Sequence, residues 1–188
     1  TLTICTCFFD IQAQKSSSII NIKSNRELFI DQFLIEKMES AQLVMHQPID
    51  EGAVLSFDKA WEGQFSGYCT VIKDQETYRA YYRGLPTSGP DGSAAETTCY
   101  AQSIDGINWT KPNLGIHTVD GSKENNVILA DHAPLSHNFS PFLDANPNAK
   151  KEEKYKALAG TKKSGLMAFT SADGIHWKKM KEDPVFTD

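Results

Sequence analysis

The sequence predicts an all-β protein built from repeated antiparallel sheets, and three observations lead there. Short apolar and aromatic runs alternate with turn residues at intervals of about ten, with little helical period. A seven-residue string, Ser103-Ile104-Asp105-Gly106-Ile107-Asn108-Trp109, recurs as Ser171-Ala172-Asp173-Gly174-Ile175-His176-Trp177. The strand before each copy recurs as well, Tyr78 to Gly84 matching Tyr155 to Gly160. Repeats that each hold several strands are what β-propeller blades look like in sequence. The expected fold is therefore an all-β propeller of which this chain carries the N-terminal blades only, at about 62–115 and 137–183.

Taken in order, Leu2 to Phe9 followed by Ile11-Gln12-Ala13-Gln14 has the pattern of a signal-peptide apolar region with a small-residue cleavage site. Residues 1–14 are accordingly expected to be an export-signal remnant and 15–25 a polar linker, which places the protein outside the cytoplasm, secreted or periplasmic. Glu27 to Glu36 reads as a leading strand or strand-turn. Gly67 to Ile72 and Tyr78 to Gly84 form a hairpin across Lys73-Asp74-Gln75-Glu76. A loop rich in Gly, Pro and Ser, Pro86 to Ala95, leads to a third strand, Thr97 to Ser103, and the sheet is expected to close near Trp109. In each repeat Asp-Gly suits a tight primed turn, because Gly accepts positive φ and Asp bonds the turn backbone; the Trp that follows would pack between blades. The run Lys150 to Lys154 reads as a solvated hairpin turn.

Composition narrows the partners. The formal charge is −5 and no basic cluster occurs along the chain, which argues against nucleic acid and anionic membranes, both of which attract stripes of Lys and Arg. No stretch reaches the roughly 18 apolar residues of a membrane span. Sugar or another neutral ligand fits better. Four cysteines occur, Cys5 and Cys7 in the expected signal and Cys69 and Cys99 beyond it. The latter pair falls on the first and third strands of one sheet, about 10 Å apart by strand spacing, too far to bridge; two buried free thiols are expected. With no CxxC or paired-His spacing, neither zinc nor another cofactor is indicated.

At the Ser-x-Asp-Gly-x-x-Trp repeat the chain resembles the five-bladed β-propeller glycoside hydrolases of the levansucrase/invertase and arabinanase groups. The resemblance is sharper to secreted bacterial proteins of a family 32-like type. The resemblance covers roughly residues 26–188, through Leu28 to Asp31, Trp61-Glu62-Gly63, Tyr78 to Gly84, Glu96 to Ala101, His137-Asn138-Phe139 and Pro141 to Asp144. The invertase signature Trp-Met-Asn-Asp-Pro-Asn is absent, as are clean Arg-Asp-Pro and Glu-Cys motifs. The resemblance implies an axial active site with a nucleophile or base early in the chain, an Asp that sets a pKa on the second blade, and a general-acid Glu on a later blade. One carboxyl must stay protonated while another stays ionised, which is why glycoside cleavage divides the roles.

On this reading Glu62, Asp31 and Asp144 are the candidate catalytic carboxylates. Trp61 would stack on a sugar ring, while Arg83, Glu96, His137 and Asn138 would bind its hydroxyls. Each has an alternative. Asp31, flanked by apolar residues, would cap a turn as a buried Asp; Glu62 would be a loop carboxylate beside a packed Trp. Asp144 would make a turn, Arg83 and Glu96 would form an ion pair across the loop, and His137 and Asn138 would be a solvent-facing loop pair. Function is thus read as cleavage of an extracellular oligo- or polysaccharide. The alternatives are a propeller that binds carbohydrate without cleaving it and a sialidase-like propeller. The latter needs an Arg cluster, whereas Arg occurs only at Arg26, Arg79 and Arg83.

Overall fold

The computed structural model describes residues 19–187. The expected signal remnant lies outside the described residues, as does the start of the linker. The chain divides into two compact units, Thr1–Ile49 and Asp50–Asp188.

Within the first unit no strand or helix occurs among the described residues. The stretch from Glu27 to Glu36, expected as a strand or strand-turn, is irregular, with bends and a single turn in its second half. Ile35 N–H donates to Gln32 O at 3.1 Å, and Phe33 N–H to Asp31 Oδ1 at 2.8 Å. No second strand offers a ladder, and its apolar residues Leu28, Phe29, Ile30 and Phe33 stay exposed.

The second unit is all-β and consists of two four-stranded antiparallel sheets, each with its strands in chain order. The first holds β1 (Gly67–Asp74), β2 (Thr77–Gly84), β3 (Thr97–Ser103) and β4 (Val127–Leu129). The second holds β5 (Ser140–Leu143), β6 (Tyr155–Thr161), β7 (Gly165–Ser171) and β8 (Lys178–Lys179). The β1–β2 hairpin turns at Gln75-Glu76, and β2 pairs with β3 without a shift from Tyr78↔Ser103 to Gly84↔Thr97. Lys151–Glu153 forms a single 3₁₀ turn before β6, on the run read as a solvated turn.

Two expectations are corrected. The first sheet is closed by Val127–Leu129, not near Trp109, where only an isolated bridge joins Gln102 to Thr110. All three residues of β4 are buried, so they show no alternation by which sequence could mark a strand. Cys69 is exposed, unlike Cys99, because β1 is an edge strand whose pairing shifts between Gly67 and Thr70. Both are free thiols, and burial pushes that of Cys99 up to about 12.

The repeated string folds identically in both sheets, although as a seven-residue loop and not a two-residue primed turn. Ser103 Oγ accepts from Gly106 N–H at 2.9 Å, while Asp105 Oδ1 accepts from Ile107 and Asn108 N–H at 2.9 and 2.7 Å. Trp109 Nε1–H closes the loop on Gly106 O at 2.9 Å. In the second copy Ser171, Asp173 and Trp177 make the same bonds. In Asp105 bonds from Asn108, Ile107 and Ser103 hold the carboxyl well below the usual range. In Asp173 bonds from His176, Ile175 and Ser171 do so, against the opposing effect of burial.

The two sheets pack face to face through one apolar core. Tyr81 and Tyr100 come from the first sheet, Ala157, Met167 and Phe169 from the second, and Phe139 from the connection between them. Trp177 lies in this seam, its ring 4.9 Å from Phe139 and 6.1 Å from Tyr81, edge-on to both. Trp109 occupies the corresponding place on the other face of the first sheet, with Ala80, Tyr82, Cys99 and Val127. Each Trp thus covers the face of its sheet that looks back along the chain.

Candidate functional site

Antiparallel order brings the end of β2, the start of β3, the end of β4 and the start of β5 to the connection-bearing end of the sheets. Arg83 is the penultimate residue of β2, Glu96 immediately precedes β3, and His137 and Asn138 come before β5 with only Phe139 between. The Pro86–Ala95 loop arches between β2 and β3. Gly92 in it adopts φ +70°, and a Cβ there would lie 2.5 Å from Pro134 Cβ, so this close approach needs glycine.

A buried carboxylate–imidazole pair sits at the centre. His137 Nδ1 lies 2.9 and 3.0 Å from the two carboxylate oxygens of Glu96, and both residues are buried. Gly92 N–H is shared between Glu96 Oε1 and His137 Nδ1, at 3.1 Å from each. Arg83 approaches the same oxygen at 3.9 Å with Nη1 and spends Nη2 on Phe65 O at 3.0 Å, its guanidinium 4.6 Å from the Tyr68 ring centre. Asp91, exposed on the loop, places Oδ1 3.7 Å from His137 Nε2.

Hydrogen-bonding capacity is left over at this end. Among the described residues five buried side-chain polar atoms have no partner, and three of them, Arg83 Nε, Ser93 Oγ and Asn138 Oδ1, belong to the segments that frame the Glu96–His137 pair. Buried polar groups are normally satisfied, so a cluster of exceptions calls for an account. One donor, one hydroxyl and one acceptor make a set that matches a polyhydroxylated ligand. A cleft of about 270 Å³ opens beside it, lined by Trp61, Pro86, Glu96, Thr118, Asp120 and Asp131 among others.

Of the residues singled out in sequence, Arg83, Glu96, His137 and Asn138 are therefore brought together, and Trp61 shares a cleft wall with Glu96. Glu62 is elsewhere. Its side chain is fully enclosed and accepts from Tyr82 Oη–H at 2.6 Å, Lys111 Nζ at 2.6 Å and Lys59 N–H at 3.0 Å. Trp61 Nε1–H and Tyr82 both bond Asn126, extending the same network. Asp144 follows β5, whereas His137 precedes it, so roughly 13 Å of strand separates them. It accepts from Lys156 Nζ at 2.6 Å and Asn146 N–H at 2.9 Å, which hold its carboxyl below the usual range. Asp31, expected as a buried turn cap or a base, caps a turn but is exposed.

Sequence reading missed Asp91 and Ser93, which lay in a stretch read only as loop. A signal was present: Asp and Ser beside Gly in a loop between paired strands are the residues that can reach back over a strand end. It also missed Lys111 and Tyr82, the partners that enclose Glu62. Among the described residues no three His, Cys, Asp or Glu side chains group as a metal site, and no helix is long and apolar enough to cross a membrane.

No family model matches the chain, and no curated protein is significantly similar to it. Solved structures do resemble it at low identity. A candidate glycoside hydrolase from Parabacteroides distasonis is 20% identical over 67% of this chain and 34% of its own, with a TM-score of 0.44. One from Bacteroides ovatus is 21% identical over 63% of this chain and 33% of its own, with a TM-score of 0.37. A second Bacteroides ovatus protein, a glycosyl hydrolase, is 20% identical over 61% of this chain and 29% of its own, with a TM-score of 0.36. The chain thus spans about a third of the length of these proteins.

Proposed function

We propose that the two sheets are successive blades of a five-bladed-type β-propeller, and that this propeller is an exported glycoside hydrolase acting on an extracellular oligo- or polysaccharide. Three features favour the blade arrangement. Each sheet is a four-stranded meander in chain order, each carries the same Trp loop after its third strand, and the backbones of the two sheets approach one another along their first strands, β1 and β5. A radial stack with its first strands innermost has this form.

The sugar site is the end formed by Arg83, Ser93, Glu96, His137 and Asn138, with Trp61 on the adjoining wall. The observation that carries this reading is the group of buried, unpartnered polar atoms around the Glu96–His137 pair. Sugar hydroxyls both donate and accept, and would satisfy Arg83 Nε and Asn138 Oδ1 at once. Glu62 belongs to the scaffold on this reading, and Glu96 is the carboxylate of the site.

Reducing-sugar release by the full-length protein from fructans, arabinans, mannosides and galactosides tests the proposal, beside calorimetric titration of the same sugars. Hydrolysis of one class is expected, with KM raised about tenfold in Asn138→Ala for the loss of one hydrogen bond. Binding without release would favour a non-catalytic carbohydrate-binding propeller at the same site. Neither binding nor release across the panel would refute both.

A further inference from the structure

Trp61 forms part of the wall of the cleft beside Glu96, and its indole is held at its polar edge. Nε1–H donates to Asn126 Oδ1 at 2.8 Å. Asn126 is 1% exposed, and its Nδ2 donates to Tyr82 Oη at 2.8 Å and to Tyr100 O at 2.7 Å. The amide has one workable orientation, because Trp61 Nε1 can only donate and the Tyr100 carbonyl can only accept. Tyr82 spends its own proton on Glu62 Oε1 at 2.6 Å, which leaves its oxygen to accept from Asn126. The main chain beside the indole is tied down as well. Leu85 N–H and Ser66 Oγ–H both donate to Glu62 O, at 2.7 Å each. Trp61 is thus anchored through its neighbouring backbone and at the far edge of its ring, by an amide that is itself fixed to β2 and β3.

We propose that Asn126 is a positioning residue of the sugar site inferred above, presetting the Trp61 indole as a stacking platform that a sugar ring meets already ordered; the proposal rests on that reading. At 1% exposure Asn126 does not reach the sugar and acts through Trp61. Trp61 shares the cleft with Pro86, Val119 and Ala130, an apolar lining that suits the C–H face of a sugar ring, while Glu96 and Asp131 offer acceptors to its hydroxyls. An indole free to change rotamer has to be ordered when the sugar binds, and ordering one such side chain weakens affinity by about 2- to 10-fold. The bond to Asn126 meets that cost during folding. Because Nε1–H is already engaged within the protein, Trp61 recognises the sugar by its ring face and not by a hydrogen bond.

The test uses the full-length protein and a sugar of the panel above that the wild type cleaves, or binds, with KM and kcat, or Kd, measured well below the melting temperature of each variant. Asn126→Leu keeps the branched shape but removes the acceptor for Nε1–H. KM should rise about 2- to 10-fold while kcat per folded molecule is kept. A purely structural role predicts the opposite split, because a destabilised variant has fewer active molecules, which lowers the apparent kcat and leaves KM unchanged. Asn126→Asp keeps an acceptor opposite Nε1–H and gives up the two donations, so it should be less stable in urea yet retain a KM close to that of the wild type. A KM that follows stability across the two variants, or that Asn126→Leu leaves unmoved, overturns the proposal. The wild type provides an arm that depends on neither variant folding. Its Trp61 indole N–H resonance, identified by its loss in Trp61→Phe, should exchange with solvent as slowly without sugar as with it; protection that arises only once sugar is added also overturns the proposal. A wild type that neither binds nor cleaves any sugar of the panel sinks the sugar-site reading and this role together. An active wild type whose KM ignores Asn126→Leu sinks the role of Asn126 alone.

Discussion

Glu62 illustrates how burial decides the role of a carboxylate. Its side chain is wholly enclosed, and Lys111, Tyr82 and Lys59 N–H occupy its oxygens at 2.6 to 3.0 Å. A sugar could reach it only by displacing those partners. Lys111 is itself 12% exposed and also bonds Asp58 at 2.8 Å, so the group is a small ionic network beneath Trp61. Removing one partner of a buried pair strands the other charge, which costs about 3 to 5 kcal/mol, whereas replacing both with apolar groups of similar volume is often near neutral. Glu62→Gln should therefore lower stability in urea denaturation by about 3 kcal/mol. Glu62→Gln combined with Lys111→Met should recover much of that loss. If Glu62→Gln instead leaves stability intact and abolishes hydrolysis, Glu62 is a reacting group and the scaffold reading is wrong.

Among the elements, the two Ser-x-Asp-Gly-x-x-Trp loops offer a controlled comparison. Gly106 and Gly174 share a φ of +77° and the same loop hydrogen bonds, yet their surroundings differ. A Cβ on Gly106 would meet only the Tyr78 ring, at 3.9 Å, whereas one on Gly174 would lie 2.6 Å from Tyr81 Oη and 3.2 Å from Tyr155 Cζ. Both Ala variants incur the left-handed penalty of about 1–2 kcal/mol. Only Gly174→Ala adds overpacking in the seam between sheets, about 1–3 kcal/mol more. Chemical denaturation should thus rank Gly174→Ala well below Gly106→Ala, and equal losses would mean that the seam is not packed as described. These loops were also the most legible elements in the sequence, because their chemistry is local: Ser, Asp, Gly and Trp bond one another within seven residues. The β1–β2–β3 meander was legible for a similar reason, since turn residues bound each strand. Val127–Leu129 was not, because three fully buried residues have no period. Nor was the pairing at the site. Arg83, Glu96 and His137 each stood out at a strand end, but which of them Glu96 would join depends on how the Pro86–Ala95 loop folds over the connection to β5. The structure brings Glu96 to His137, 41 residues away, more closely than to Arg83.

For the second unit as a whole, the repeat shows which face lacks a neighbour. In the first sheet Ile72, Tyr81 and Tyr100 look forward along the chain and are packed against the second sheet. Strand register gives Phe142, Leu158 and Ala168 as their counterparts on the second sheet, with Leu166 beside them. There no third sheet follows among the described residues, and Phe142 and Leu166 remain 49% and 36% exposed. Met180 and Phe186 are exposed large hydrophobics as well. Contiguous apolar surface of this kind drives association unless something covers it. The 188-residue chain on its own should therefore self-associate as its concentration rises, read as a growing weight-average mass in light scattering coupled to size exclusion. Phe142→Lys should return it toward the monomer, because a charge in the middle of such a face must be desolvated on association and finds no partner on a second copy of the same face. A chain that stays monomeric throughout, or association that Phe142→Lys leaves unchanged, would mean that the forward face of the second sheet does not need the cover that the first sheet receives. The blade equivalence drawn from the repeat would then fail with it.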